Sequence, residues 1–317
     1  MSDLKRDILQ CIGNTSLVPL RTIAPANGAR ILLKLESENP TGSMKDRMAL
    51  AMIEAAEADG RLRPDGFVVE YTGGSTGVSL SLVCAVKGYP LHIVTSDAFA
   101  REKLDHMRTL GARLDIVHSD SGRMTEKLTR DMIEAARAIA QRPGSFWTDQ
   151  LNNTDQVAAY YGMADEIWRQ TGGRVDAFVQ SVGTAASLRG TAEGLRRRGP
   201  VQIVAVEPAE SPVLSGGRSG AHRIDGVGAG FVVPLWRPEI ADRIELVSTE
   251  EAASMSMRLA REEGLFGGTS TGGNVVAALR VAAGLGSGAT VVTLMCDTGM
   301  KYLSKLAHRA PASDPGS

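Results

Sequence analysis

The chain has 317 residues, with Lys+Arg 35 against Asp+Glu 36 and a formal net charge of −1. That length allows one large domain or two modest ones, and the charge balance argues against a nucleic-acid binder, which needs a basic excess on some face. A hydrophobic share of 43% and a charged share of 22% exclude wholesale disorder, and 35 glycines beside only 4% aromatics suit close backbone approach to a small polar ligand.

In chain order, short buried-type strands are expected at Ile31–Leu35, Phe67–Tyr71, Leu91–Thr95, Leu114–Val117, Ala177–Gln180, Gln202–Val206 and Thr290–Met295. Helical patterns occupy Asp46–Ala58, Val78–Lys87, Arg101–Leu110, Met124–Ala140, Gln156–Gln170 and Ala185–Arg197. Such alternation predicts an α/β protein with mostly parallel sheets, whose ligands bind on strand-to-helix loops. Gln141–Ser145 is the best mid-chain boundary signal, residues 210–240 read as a long irregular excursion, and the tail from His308 to Ser317 reads as disordered. The apolar stretches 78–96 and 275–296 are interrupted by Lys87, Pro90 and Arg280, so no membrane span is expected. The opening residues lack the apolar core of a secretory signal. Cys11, Cys84 and Cys296 have no metal-site or redox spacing, and His92, His106, His118, His222 and His308 show no ligand spacing. A reducing, cytoplasmic setting without a metal site is therefore expected.

The strongest local feature is Asn39–Arg47. Ser43 followed by Asp46 has the form of a capping box, which would hold Lys45 in a first helical turn. The helix dipole there opposes an ammonium, and a neutral lysine is what Schiff-base chemistry requires; taken alone, though, a first-turn lysine is ordinarily just solvated. The run Thr72-Gly73-Gly74-Ser75-Thr76-Gly77 lies between a strand and a helix and offers amides and hydroxyls to an anion. It has neither Walker nor dinucleotide spacing, and a plain tight turn is an equal reading of it in isolation. Gly183–Ser187 is a second such cradle, Gly267–Gly273 a candidate third, and Cys296–Gly299 follows the last strand. One lysine and several anion loops suggest an aldehyde cofactor bearing a phosphate and a substrate bearing a carboxylate.

These residues, with Ala205–Pro208, Gly226–Phe231, Glu262–Phe266 and Lys301–Ser304, stand in an order and spacing that resemble the cysteine synthase/cystathionine β-synthase family of pyridoxal-phosphate enzymes, from about Ile12 to Lys305. The resemblance implies fold type II: two α/β domains with the cofactor in the cleft between them. Residues 1–40 and 147–317 would form the large domain and 41–146 a smaller mobile one, usually in a homodimer. It also implies that Lys45 holds pyridoxal phosphate as a Schiff base and then acts as general base. Gly183, Thr184, Ala185, Ala186 and Ser187 would bind the phosphate, and Thr298 would pair with the ring nitrogen, with Asp297 pointing elsewhere. Thr72, Gly73, Ser75 and Thr76 would hold the substrate carboxylate, with Gln150 assisting. His222 lies in a segment that resembles a mobile part of the family near the active site.

The implied reaction is β-replacement on an activated L-serine, with O-acetyl-L-serine the leading donor, through an α-aminoacrylate; sulfide as nucleophile would give cysteine. Homocysteine, an amine or water as acceptor remain open, as does a non-catalytic binding paralogue. A serine acetyltransferase tail is a further implied partner. The sequence departs from the usual family loop Thr-Ser-Gly-Asn-Thr-Gly at Gly73 and Ser75. Ser75 would have to serve the cofactor's 3′-oxygen with a shorter reach, and Gly73 is expected to enlarge the pocket. Ala185, Ala186 and Ser187 replace the more usual Gly, Gly and Thr, and Met44 the usual valine.

Overall fold

The computed structural model describes residues 4–25, 28–120 and 125–303. In chain order the principal elements are β1 (Leu17–Pro19), β2 (Arg30–Leu35), α1 (Lys45–Ala58), β3 (Phe67–Tyr71), α2 (Ser75–Lys87), β4 (Leu91–Thr95), α3 (Arg101–Thr109), β5 (Arg113–Ile116), α4 (Glu126–Ala140) and β6 (Ser145–Trp147). They continue with α5 (Asp155–Gln170), β7 (Ala177–Ser181), α6 (Ala186–Arg196), β8 (Gln202–Pro208), β9 (Arg243–Val247), α7 (Thr249–Arg258), α8 (Thr269–Ala283) and β10 (Thr290–Met295). The expected tail disorder beyond His308 lies outside the described residues, as does Met124, the expected start of α4. Among the described residues no helix is long and apolar enough to cross a membrane.

Two sheets result. One has six strands in the order β1-β2-β10-β7-β8-β9, and the other four in the order β5-β4-β3-β6. Every pairing is parallel except β1 against β2. The expected α/β class with mostly parallel sheets is what the chain adopts. All five residues of β7 and all six of β10 are buried, as central strands covered on both faces must be. The four-stranded sheet is drawn wholly from residues between β2 and β7. Its last strand pairs Trp147 with Val69, so the pairing runs one residue past the boundary read at 146.

Helix α1 joins the two parts. It buries Met48, Ala49, Met52, Ile53 and Ala56, a stripe of three- and four-residue steps, and packs between α2 and α5. A fully buried Met or Ile contributes about 1.5–3 kcal/mol, so α1 is anchored from both sides. Its start is not the expected capping box. The Asp46 carboxylate accepts from Thr41 N (2.8 Å) and Thr41 Oγ1 (2.5 Å) and from Ser79 Oγ (2.6 Å), whereas Ser43 Oγ accepts from Lys45 N. Buried hydroxyl donors out-compete the local motif for Asp46. A true capping box, Ser248 with Glu251, opens α7 instead.

Five elements were not foreseen: β1, β6, β9, α7 and α8. The opening of α8, Thr-Ser-Thr-Gly-Gly, has poor helix propensity. Tertiary packing decides it, because a Cβ on Gly272 would fall 2.0 Å from the Ala252 carbonyl of α7. Residues 209–237 carry no helix or strand, in keeping with the expected excursion.

Candidate active site

The C-terminal ends of β3, β7 and β10 open into one cleft of about 980 Å³. Its lining includes Lys45, Thr72–Thr76, Gln150, Gly183, Thr184, Gly267–Ser270 and Asp297. Three helices point N-termini at it: α2 begins at Ser75, α6 at Ala186 and α8 at Thr269, none with a side-chain cap on its first amides. Uncapped first-turn N–H groups and the helix dipoles make this a cleft for anions.

Lys45 opens α1 at the cleft floor. The strand end after β10 holds it there: Met44 N donates to Cys296 O (2.9 Å), Thr298 N donates to Gly42 O (2.9 Å), and Ser43 forms an isolated bridge with Asp297. From α5, the Tyr160 hydroxyl donates to Met44 O at 3.2 Å. No described residue hydrogen-bonds or ion-pairs with the Lys45 amine. Desolvation lowers its pKa, Cys296 and Asp297 oppose that shift, and the Lys103 charge adds to it. The chain thus presents a lysine biased toward the neutral amine.

The sequence-derived candidates fall into three groups. Lys45, Thr72, Gly73, Ser75, Thr76, Gln150, Gly183 and Thr184 all line the cleft. Ser75 and Thr76 stand in the first turn of α2 rather than in a loop, because that helix starts three residues before the expected Val78. Gln150 donates from Nε2 to Tyr71 O (3.1 Å), and its N–H donates to Glu70. The buried Glu70 carboxyl, raised to about 7 by desolvation, ties this turn to β3 through Thr148 Oγ1 as well.

Ala185, Ala186 and Ser187 lie buried behind Gly183 and Thr184 at the start of α6. Ala185 has φ 72°, a left-handed conformation that glycine adopts more cheaply. Ser187 Oγ accepts from Gln180 Nε2, and Thr184 Oγ1 donates to Gln156 Oε1 (3.0 Å).

Thr298 is not brought into the cleft lining. Its hydroxyl accepts from Met300 N (3.3 Å), capping the 3-10 turn Gly299–Tyr302, and its methyl lies 2.6 Å from where a Cβ of Gly42 would stand. It stitches two chain segments together. Cleft hydroxyls near it include Ser270, beside Thr269 at the start of α8, and Ser181, whose Oγ is buried without a partner. Asp297, expected to point elsewhere, lines the cleft. Its Oδ2 accepts from Tyr302 OH (2.7 Å) and Ser75 Oγ (3.3 Å), and its Oδ1 has no partner. Lys301 Nζ donates to Ser75 Oγ at 3.4 Å, so that hydroxyl is shared between a carboxylate and an ammonium. Ser270 lay inside the candidate cradle Gly267–Gly273 without a role of its own, and Asp297 was set aside in favour of its neighbour Thr298. The only signal in the sequence was their place at a helix start and a strand end.

Gly73 does not enlarge the pocket. The volume its side chain would take is filled by the Phe99 ring, 1.8 Å from a Cβ built there. Phe99 was not singled out, since nothing local marks a residue between β4 and α3 as a cleft wall.

Pyridoxal phosphate fits these residues. The amine of Lys45 is partnerless, the α6 amides are uncapped, and a Cβ on Gly183 would fall 2.6 Å from Gly226 O, so backbone approaches backbone closely at the cradle. The orphaned Ser181 Oγ and Asp297 Oδ1 are buried polar atoms for which a polar ligand supplies partners.

Known proteins agree. Residues 8–297 match the family described as pyridoxal-phosphate dependent enzyme. A cysteine synthase of Staphylococcus aureus (strain Mu50 / ATCC 700699) is 38% identical over 301 residues, spanning 94% of this chain and 95% of the relative. The crystal structure of O-acetyl serine sulfhydrylase isoform 3 from Entamoeba histolytica superposes with a TM-score of 0.91 at 36% identity, covering 99% of this chain and 94% of the other. That of the O-acetylserine dependent cystathionine beta-synthase from Helicobacter pylori gives 0.88 at 32% identity, covering 96% and 98%. A match of this length, over a cleft that presents an unpaired lysine beneath an uncapped helix, makes the chain a member of the pyridoxal-phosphate dependent enzyme family.

Proposed function

We propose that the protein catalyses β-replacement on O-acetyl-L-serine, with sulfide as nucleophile and cysteine as product. The observation that carries the reading is the desolvated, partnerless Lys45 amine on the floor of a cleft edged by three uncapped helix N-termini. In this reading Gly183, Thr184, Ala185, Ala186 and Ser187 hold the cofactor's phosphate on the first turn of α6. Ser270 replaces Thr298 as the hydroxyl for the ring nitrogen, since Ser270 lines the cleft. When bound, pyridoxal phosphate supplies the electron sink that lets the Cα proton and then the acetate depart.

The chain's own residues do the rest. The α2 amides, with Thr72 and Thr76, take the substrate carboxylate; Gln150 steadies the neighbouring wall. Lys45, biased toward the neutral amine by desolvation, accepts the Cα proton at Nζ. Ser75, already hydrogen-bonded to Asp297 and Lys301, orders the polar side of the cleft and serves the cofactor's 3′-oxygen from there. Residues 41–146 act as the smaller mobile part and 1–40 with 147–317 as the larger, and closure between them excludes water. A homodimer, a cytoplasmic setting and a serine acetyltransferase tail as partner belong to the same reading. The free Cys11, Cys84 and Cys296 support the compartment, and size-exclusion chromatography with and without a tail peptide tests both assembly terms.

The direct test incubates the protein, loaded with pyridoxal phosphate, with O-acetyl-L-serine and sulfide and measures cysteine and acetate. Cysteine formation that Lys45→Ala abolishes is the expected result. Acetate release without cysteine would move the assignment to homocysteine, an amine or water as acceptor. No release from O-acetyl-L-serine would overturn the donor and turn the test to O-phosphoserine, serine and cysteine, whereas failure to take up pyridoxal phosphate would leave the binding paralogue.

A further inference from the structure

Gly73 is a glycine for reasons of space. A Cβ on it would lie 1.8 Å from both Cδ2 and Cγ of Phe99 and 2.3 Å from Cε2. Its φ is outside the left-handed range, so conformation does not demand glycine there. The overlap reaches Cγ, the root of the ring, which a small rotation about the side chain cannot clear.

Phe99 is itself held. It sits in the turn between β4 and α3, where its N–H donates to Ser96 O (3.2 Å) and Ala98 N donates to Ser96 Oγ (3.3 Å). Ser96 is fully buried. The ring packs against two apolar clusters, one holding Val68 and Ile93 and the other Val69 and Val94. Those residues alternate along β3 and β4, the two inner strands, so Phe99 bridges the two faces of the four-stranded sheet beyond the C-terminal end of β4. Ala98, Ala100 and Leu151 line the cleft beside it. A position where a hydroxyl could have stood is filled by an apolar ring delivered from elsewhere in the chain.

We infer that Phe99, seated on Gly73, is a specificity-determining residue whose ring walls the Thr72–Thr76 loop and admits compact nucleophiles while excluding those with a long or charged organic group. The inference rests on the reading of that loop as the substrate-carboxylate site. A ring offers no hydrogen bond to a second carboxylate, and desolvating a charge against it is costly. Hydrophobic walls discriminate by size over roughly 10–200-fold per methylene-sized difference. A serine at position 73 would expel the ring, so Gly73 and Phe99 act as one unit.

The test compares the wild-type holoenzyme with Gly73→Ser, Phe99→Ala and the double variant. Tm should fall in Gly73→Ser and recover when Phe99→Ala is added, a coupling between touching residues that needs no turnover to be read. The ratio of kcat/KM for L-homocysteine over sulfide, with O-acetyl-L-serine as donor, should rise about tenfold or more in Phe99→Ala. Phe99→Leu, which keeps the apolar packing without the ring, should move the ratio the same way and stands in if the alanine variant folds poorly. A ratio within twofold of wild type in both variants, or a Gly73→Ser Tm equal to wild type, overturns the proposal. A wild type inactive with every acceptor overturns the functional reading instead. The preference for L-cysteine over L-cystathionine, read as ligand-induced Tm shifts, then decides the role of Phe99: unchanged in Phe99→Ala, it overturns the inference, and moved toward cystathionine, it supports it.

Discussion

Two residues apart on α1, Lys45 and Arg47 face opposite kinds of surroundings. Arg47 is fully answered: Nε and Nη2 donate to Glu36 at 2.7 and 2.8 Å, and Nη1 and Nη2 donate to Glu166, both at 2.8 Å. Lys34 pairs with Glu166 at 2.7 Å, and Thr15 and Asn39 donate to Glu36. Two cations meet two carboxylates in a buried, hydrogen-bonded group. Burial works against the Glu166 charge, yet hydrogen bonds from Arg47 and Lys34 hold its carboxyl at about 2. Lys45, by contrast, has no partner, and nearby Asp297 leaves one oxygen unanswered. A buried charge with its partners in place is architecture, and buried polar groups left unanswered await a ligand.

The sharpest way to break this contrast is to remove each basic side chain. Lys45→Ala should cost more than about 10³-fold in turnover, since the general-base share alone is about 10²–10⁴-fold, while Tm stays level or rises because a desolvated amine is gone. Arg47→Met should do the reverse. It leaves Glu36 buried without a cation and Glu166 with Lys34 alone, and should destabilise by about 3–5 kcal/mol, read by urea unfolding. Similar losses of Tm in both variants would erase the distinction.

A smaller effect separates two hydroxyls. Ser270→Ala should reduce turnover and weaken cofactor retention, measured by dialysis of the holoenzyme. Thr298→Ala should cost about 0.5–2 kcal/mol of stability as a lost cap and leave cofactor retention unchanged. The opposite pattern would return the ring-nitrogen role to Thr298.

The mildest effect is a pH dependence. Burial lowers Lys301 to about 8; Asp297 and Asp46 oppose the shift, and Lys103 and Lys45 reinforce it. A cation whose folded pKa is lowered contributes stability above its ordinary value of 10.5 that is lost as pH falls through about 8. Below that pH the cleft gains a positive charge beside Ser75, so KM for the carboxylate-bearing donor should fall severalfold between pH 9 and 7. Lys301→Met should flatten that limb, and a KM profile identical to wild type would remove Lys301 from the cleft's electrostatics.

Much of the fold was legible. Strands at Phe67–Tyr71, Leu91–Thr95 and Thr290–Met295 were read with the bounds they adopt, because buried parallel strands are short apolar runs between turn residues. Helix α8 was not, since its glycines serve the approach of α7 and only the assembled fold contains that neighbour. The Ser43/Asp46 pattern misled for a related reason: a cap written in sequence is one option for a carboxylate, and the buried hydroxyls of Thr41 and Ser79 offered a better one.

The sequence by itself determined the class of this protein: alternating strands and helices, a lysine entering a helix, and glycine- and hydroxyl-rich turns at strand ends. Those are local patterns, set by residue type and spacing. Tertiary structure alone decided which of two adjacent residues, Asp297 or Thr298, faces the cleft, and that Phe99 occupies the space Gly73 leaves. Both depend on atoms brought together from distant parts of the chain, where a shift of one residue reverses the direction of a side chain and no local pattern records the neighbour.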